Sequence, residues 1–245
     1  MNGTPLAGKR VLITRDAEGS EEWARSVAQL GGRPLILPCI VEQPIDDAAA
    51  AAALRGALAD AEWLLVFSAR AARCVARLCG GDIPASTRIG AVGRRSASAA
   101  SRYLRPPSLV GSVGTSLGLA FELLPLLEAC AANAKVVIAG ATFGREDADA
   151  FLHSAGVLVR RVSVYRVVPW SSAGRKRDLS RRRVDAVLLA SPSAVKGLIN
   201  RVKLPLPAKV VTIGPTTSAA AEAAGLEIAA EAKSPSLASM LAAIQ

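Results

Sequence analysis

Aromatic side chains are scarce: four Phe, three Trp and two Tyr in 245 residues. So few stacking surfaces give little support to a single-stranded nucleic-acid platform. The abundant Ala that takes their place suits helices packed closely on sheets. The single histidine, His153, excludes a histidine-rich metal site and reads as a surface or capping residue on a helix. Cys39, Cys74, Cys79 and Cys130 follow no pairing or metal-ligand spacing and read as small buried thiols. No segment reads as a membrane span, because the longest Ala-rich stretch, 48–67, is broken by Arg55, Asp60 and Glu62. The segment before the first strand is short and polar, unlike a signal peptide, so a cytoplasmic location is expected. No G-x-G-x-x-G follows the first strand and no G-x-x-x-x-G-K-[ST] occurs, so dinucleotide and P-loop sites lack support.

What the chain does have is positive charge. Thirty Lys and Arg against twenty Asp and Glu give a formal net charge of +10. Either the partner is acidic (a nucleic acid, an anionic surface or a polyanionic small molecule) or the source favours Arg and Ala codons. The densest run, Arg175-Lys176-Arg177 and then Arg181-Arg182-Arg183, lies between predicted elements and reads as a solvated basic loop. A nucleic-acid surface is the alternative reading there, weakened by the few aromatics nearby.

The second half of the chain repeats the first. Leu65-Val66-Phe67-Ser68-Ala69-Arg70 matches Leu188-Leu189-Ala190-Ser191-Pro192-Ser193, an apolar run ending in Ser ahead of an Ala-rich helix. Ala91-Val92-Gly93 matches Thr212-Ile213-Gly214, and Lys9-Arg10-Val11-Leu12-Ile13 matches Lys135-Val136-Val137-Ile138. Ser68 and Ser191 are 123 residues apart, Gly93 and Gly214 are 121 apart, and Lys9 and Lys135 are 126 apart. A period near half the chain means duplication of a domain-sized unit.

Short apolar strands alternate with helices throughout, starting with strand 11–14, helix 18–30 ended by Gly31-Gly32, and strand 34–38. The pattern predicts an α/β fold of two similar parallel-sheet lobes. Ligands of such sheets bind beyond the carboxyl ends of strands. Ser or Thr recurs at the helix starts there: Ser68, Ser96, Ser191, Ser193, Thr216 and Thr217. Four such starts around a shared cleft would offer backbone N–H groups and positive dipole ends to carboxylates or phosphates. Arg15, Arg70, Arg94 and Arg145 fall in equivalent loops and would add charge. Gly114-Thr115-Ser116-Leu117-Gly118 matches a nucleophile elbow, but the acids and His that follow crowd onto one predicted helix, so Thr115 or Ser116 reads as a helix cap. Tyr165 ends a long strand-like run; it either packs at a domain junction or supplies a proton in the cleft.

The ordered set of motifs resembles the uroporphyrinogen-III synthase family nearly end to end. It comprises Val11-Leu12-Ile13-Thr14-Arg15, Phe67-Ser68-Ala69-Arg70, Val92-Gly93-Arg94-Arg95-Ser96, Gly144-Arg145, Val164-Tyr165-Arg166 with Pro169, Ala190-Ser191-Pro192-Ser193, and Gly214-Pro215-Thr216-Thr217. The resemblance implies lobe 1 from 1–38 plus 169–245, lobe 2 from 43–165, and extended linkers near 39–42 and 166–168. It implies a monomeric lyase of tetrapyrrole and heme biosynthesis, without cofactor or metal, that cyclises hydroxymethylbilane to uroporphyrinogen III. It implies Tyr165 and Ser96 as catalytic residues. Thr14, Arg15, Ser68, Ala69, Arg70, Gly140, Arg145, Ser191, Pro192, Ser193 and Thr217 would bind the polycarboxylate. No nucleic acid or membrane is expected as partner; a transient contact with the preceding enzyme is. A non-catalytic, anion-binding relative with the same fold is the alternative. Three positions depart from the family: Ala139 stands where Arg often precedes Gly140, Ser96 where Thr is usual, and Ala190 where Thr or Phe precedes the second Ser.

Overall fold

The computed structural model describes residues 5–128, 134–142, 146–171 and 174–244. The chain divides into two units, one of Met1–Glu42 and Val167–Gln245, the other of Gln43–Arg166. In the first unit, β1 (Arg10–Ile13), α1 (Ala17–Gln29) and β2 (Arg33–Ile36) open the chain. The unit closes with β9 (Ala186–Leu189), α7 (Pro192–Arg201), β10 (Lys209–Thr212), α8 (Pro215–Ala223), β11 (Ile228–Glu231) and α9 (Leu237–Ala242). Its strands lie in the order β11-β10-β9-β1-β2, and every pairing is parallel.

The second unit runs from α2 (Ala48–Leu58) through β4 (Trp63–Val66), α3 (Ala69–Cys79), β5 (Arg88–Ala91), α4 (Arg94–Tyr103), β6 (Leu109–Val110) and α5 (Ser116–Glu128). It ends with β7 (Lys135–Ala141), α6 (Asp147–Ser154) and β8 (Leu158–Pro169). The sheet order is β3-β8-β7-β4-β5-β6, where β3 spans Ile40–Pro44. Apart from β3, this order is that of the first unit. β8 and β7 stand where β2 and β1 stand, and β4, β5 and β6 where β9, β10 and β11 stand. The sequence repeat therefore folds into two copies of one permuted design, the β-α-β piece leading in the first unit and trailing in the second.

Alternation along each strand explains why helices cover both faces. Leu12, Val187 and Leu189 enter one core with α7 and α8; Val11, Ile13, Ala186 and Leu188 enter another with α1 and α9. In the second unit Leu64, Val66, Val137 and Ala139 pack on α2, α3 and α4, while Trp63, Leu65, Val136 and Ile138 pack on α5 and α6. Side chains of period two feed two opposite cores, as a fully covered parallel sheet requires.

Two details differ from the sequence reading. Residues 40–44 are a strand at the edge of the larger sheet, where a linker was expected over 39–42; the Ile45 amide continues the register by donating to the Val164 carbonyl at 3.0 Å. The basic stretch near 180 contains a turn of 3-10 helix, Ser180–Arg182, and a parallel bridge from Arg177 to Val202. Cys39, Cys74 and Cys79 are buried free thiols; Cys130 lies outside the described residues. Among the described residues no helix is long and apolar enough to cross a membrane.

Candidate active site

In a doubly wound sheet the crossovers change face at one point, and the carboxyl ends of the strands flanking it leave a crevice. That point lies between β1 and β9 in the first unit and between β7 and β4 in the second. The sequence places its repeated turns there.

At β4, Ser68 takes extended backbone and its hydroxyl accepts from the Ala71 amide at 3.0 Å, starting α3. At β9, Ser191 does the same with the Ala194 amide at 3.1 Å, and Pro192 follows as the first residue of α7. Proline suits that position because its missing N–H would have no partner in the helix. Ser68, Ala69, Arg70, Ser191, Pro192 and Ser193 are all half-buried, at the edge of solvent. The next strand along each sheet repeats the theme without a hydroxyl cap: α4 and α8 start after Gly93 and Gly214 with no side-chain hydrogen bond to the first turn. Ser96 and Thr217 sit at the third helical position of these two helices and are 4% and 3% exposed. The exposed residues of those first turns are Arg94, Arg95, Pro215 and Thr216. Four equivalent helix starts thus carry positive dipole ends at the carboxyl edges of the two sheets.

The β1–α1 turn is different. Thr14 is fully buried and its hydroxyl donates to the Leu188 carbonyl at 2.6 Å, tying β1 to β9. Its own carbonyl accepts from the Cys39 amide at 2.9 Å. Asp16 caps α1, its carboxylate accepting from the Gly19 amide at 2.9 Å. This helix start already holds an anion of the chain's own. Arg15 lies beside it, its guanidinium 5.2 Å from the Trp23 ring centre.

Tyr165 owes its place to a β-bulge. Along β7 and β8, Gly140 pairs with Ser163 but Ala141 pairs with Tyr165, so Val164 is an extra residue. Val162, Val164 and Tyr165 consequently pack on the same core, where regular alternation would have turned Tyr165 to the other face. The Thr142 amide (3.0 Å) and hydroxyl (3.3 Å) both donate to the Tyr165 carbonyl and fasten the strand end. Gly140 is buried in β7, and a Cβ there would stand 3.0 Å from the Arg161 guanidinium. Arg161 grips Asp149 of α6 through two nitrogens, Nε to Oδ1 at 2.8 Å and Nη2 to Oδ2. Arg145 lies outside the described residues.

Sequence reasoning missed Asp16, Thr142 and the Arg161–Asp149 pair. Asp16 was signalled by an Asp three residues before Gly19 at a strand-to-helix junction, a cap pattern. The other two had no signal, since each depends on the pairing of β7 with β8. Thr115, as expected of a cap, accepts from the Gly118 amide at 3.0 Å at the start of α5, and His153 is exposed in the last turn of α6. Among the described residues no three His, Cys, Asp or Glu are grouped to hold a metal ion.

A family model described as uroporphyrinogen-III synthase HemD matches residues 21–242. The porphyrin biosynthesis protein HemD of Ruminiclostridium josui is 26% identical over 240 residues, covering 94% of this chain and 47% of that protein. The chain thus spans about half the length of that curated relative. A mutant uroporphyrinogen III synthase from Thermus thermophilus is 21% identical, with a TM-score of 0.51 over 96% of each chain, a likeness of fold. The uroporphyrinogen-III synthetase of Helicobacter pylori is 15% identical, with a TM-score of 0.49 over 95% of this chain and 96% of that one.

Proposed function

Because the chain belongs to the uroporphyrinogen-III synthase HemD family, we propose that it cyclises hydroxymethylbilane to uroporphyrinogen III, as a cofactor-independent lyase of the cytoplasm. The observation that carries this reading is the recurrence of one device in both units: a Ser-capped helix start at the switch point of each sheet, with a second helix start beside it. The substrate is a polycarboxylate. Helix N-termini and the arginines around them bind carboxylates through charge and backbone N–H groups. In this reading Thr14, Arg15, Ser68, Ala69, Arg70, Gly140, Arg145, Ser191, Pro192, Ser193 and Thr217 form the carboxylate contacts, Thr14 and Gly140 by backbone.

The reaction removes the terminal hydroxyl of the bilane as water and leaves an azafulvene. The far pyrrole ring then attacks through its substituted position, and the spiro intermediate opens and recloses with that ring inverted. Tyr165 is the proton donor to the departing hydroxyl, since a phenol donates without being buried as a charge. Ser96 supports it from the first turn of α4. The rest is positioning: the substrate closes unaided to the wrong isomer, so the enzyme's task is to hold the ends for the inverted closure. A transient contact with the enzyme that delivers the unstable bilane fits this chemistry.

The test is to incubate purified protein with fresh hydroxymethylbilane and resolve the product isomers. The type III isomer is the expected product. The type I isomer alone, with tight product binding, would replace this reading with that of a non-catalytic relative.

A further inference from the structure

The stretch 175–183 holds six cations and one acid, Asp178, a local charge of +5 in a chain of net charge +10. None of it serves the site described above. Arg181, Arg182 and Arg183 lead into the amino end of β9, and the Asp185 amide donates to the carbonyl of Arg10, the first residue of β1, at 2.9 Å. The candidate site lies beyond the other end of these strands, about 13 Å away for four residues.

This stretch is anchored to the sheet. The Arg177 amide donates to the Arg201 carbonyl at 2.7 Å and the Lys203 amide returns to the Arg177 carbonyl at 2.9 Å. Arg10 donates to the Arg182 carbonyl at 2.8 Å, Leu179 and Val184 are buried, and Arg183 takes left-handed backbone with φ of 47°. A non-glycine residue there costs about 1–2 kcal/mol, which the surrounding contacts must offset. Among the described residues no ion pair joins any of the six cations to a carboxylate. Between them opens a hollow of about 290 Å³, floored by Leu12, Leu35, Leu179 and Val184 and rimmed by Arg177 and Arg182.

We infer that this surface docks an acidic segment of a partner protein, an apolar side chain entering the hollow and flanking carboxylates meeting Arg177, Arg182 and their neighbours. A nucleic acid offers phosphates but no side chain for the hollow, and no aromatic residue follows Trp170 to stack a base. The segment docks by its side chains and does not extend the sheet. β2 is the neighbouring edge, and the Arg33 and Leu37 amides point inward to Lys9 and Ile13. Pro34 stands on the outward row without an N–H to donate. The inference is independent of the reaction proposed above.

Fluorescence anisotropy with the intact chain tests it. The probes are a labelled peptide of about a dozen residues alternating Glu and Asp with Leu, the same peptide with Ser for Leu, and a DNA duplex of about twenty base pairs. The Leu peptide is expected to bind at least about five-fold tighter than the Ser peptide, with an affinity that falls as salt rises. Arg177→Glu/Arg182→Glu should weaken it at least about ten-fold, and Arg177→Gln/Arg182→Gln less, both with wild-type melting and isomer formation. Equal binding of the two peptides would reduce the surface to diffuse charge. Binding of the duplex in preference to the peptide would make it a nucleic-acid face, and no binding of any probe would remove it altogether.

Discussion

At the scale of single residues the outcome turns on Tyr165. The bulge at Val164 puts its ring on the core shared with α3 and α4, and Thr142 holds its carbonyl. General acid help is typically worth about 10²–10⁴-fold, and the low end applies to a leaving group that departs unaided. Tyr165→Phe should therefore lower turnover about ten- to a hundred-fold with unchanged melting and product binding. Ser96→Ala should cost less, because the backbone N–H groups of α4 stay in place. Steady-state rates of isomer III formation decide this; a fully active Tyr165→Phe would make the tyrosine a packing residue. Cys39 gives a second, pH-dependent expectation. Burial pushes its thiol up from 9.0 to about 12, against the opposing fields of Arg201 and Arg177. Below pH 9 the folded and unfolded chains both keep this proton. Above it the unfolded thiol ionises while the folded one does not, so stability is lost as pH rises from about 9 to about 12. Urea unfolding across that window should show the loss, and Cys39→Ala should flatten it; an unchanged slope would assign the loss to other groups.

At the scale of elements, α7 has little room for change at Gly197. A Cβ on Gly197 would stand 1.6 Å from the Cys39 carbonyl oxygen and 3.0 Å from the Trp170 amide. That amide donates to the same Cys39 carbonyl at 2.8 Å. Asn200 donates to the Trp170 carbonyl at 3.0 Å, Arg201 donates to the Pro38 carbonyl, and its guanidinium lies 4.2 Å from the Trp170 ring centre. One turn of α7 thus ties Pro38 and Cys39 to Trp170 within the first unit. Gly197→Ala should destabilise the first unit by about 3 kcal/mol, the upper end for overpacking, read as a drop in melting temperature. An unchanged melting point would show that α7 can shift away freely.

The sequence made the strand–Ser–helix turns legible because their signal is local: an apolar run, a capping hydroxyl and a small-residue helix, repeated at fixed separation. It did not reveal β3, since Ile40-Val41-Glu42-Gln43-Pro44 has no clean alternation and ends in proline. It did not reveal the commitment of Thr14, whose partner Leu188 lies 174 residues away. Nor did it reveal the bulge beside Gly140, which exists only in the register between two strands.

At the scale of the molecule, the second unit is one unbroken stretch of chain with its two cores made wholly from its own residues. A fragment of residues 43–166 is therefore expected to fold alone, with a cooperative thermal transition by circular dichroism, and to lack isomer III activity. A fragment that stays disordered would mean that its sheet depends on β3 or on the rest of the chain.

The permuted order of strands also sets a timetable for synthesis. β1 pairs on one side with β2, made within seconds of it, and on the other with β9; Arg10 and its partner Asp185 are 175 residues apart. At about 5–20 residues per second that gap is roughly 10–35 seconds on the ribosome. Throughout it the nascent β1–α1–β2 piece waits with the edge meant for β9 bare, while the whole of the next unit emerges. An unpaired strand edge is an aggregation hazard. The strand left half-paired longest during synthesis is thus one whose residues Val11, Leu12 and Ile13 are buried in the finished sheet.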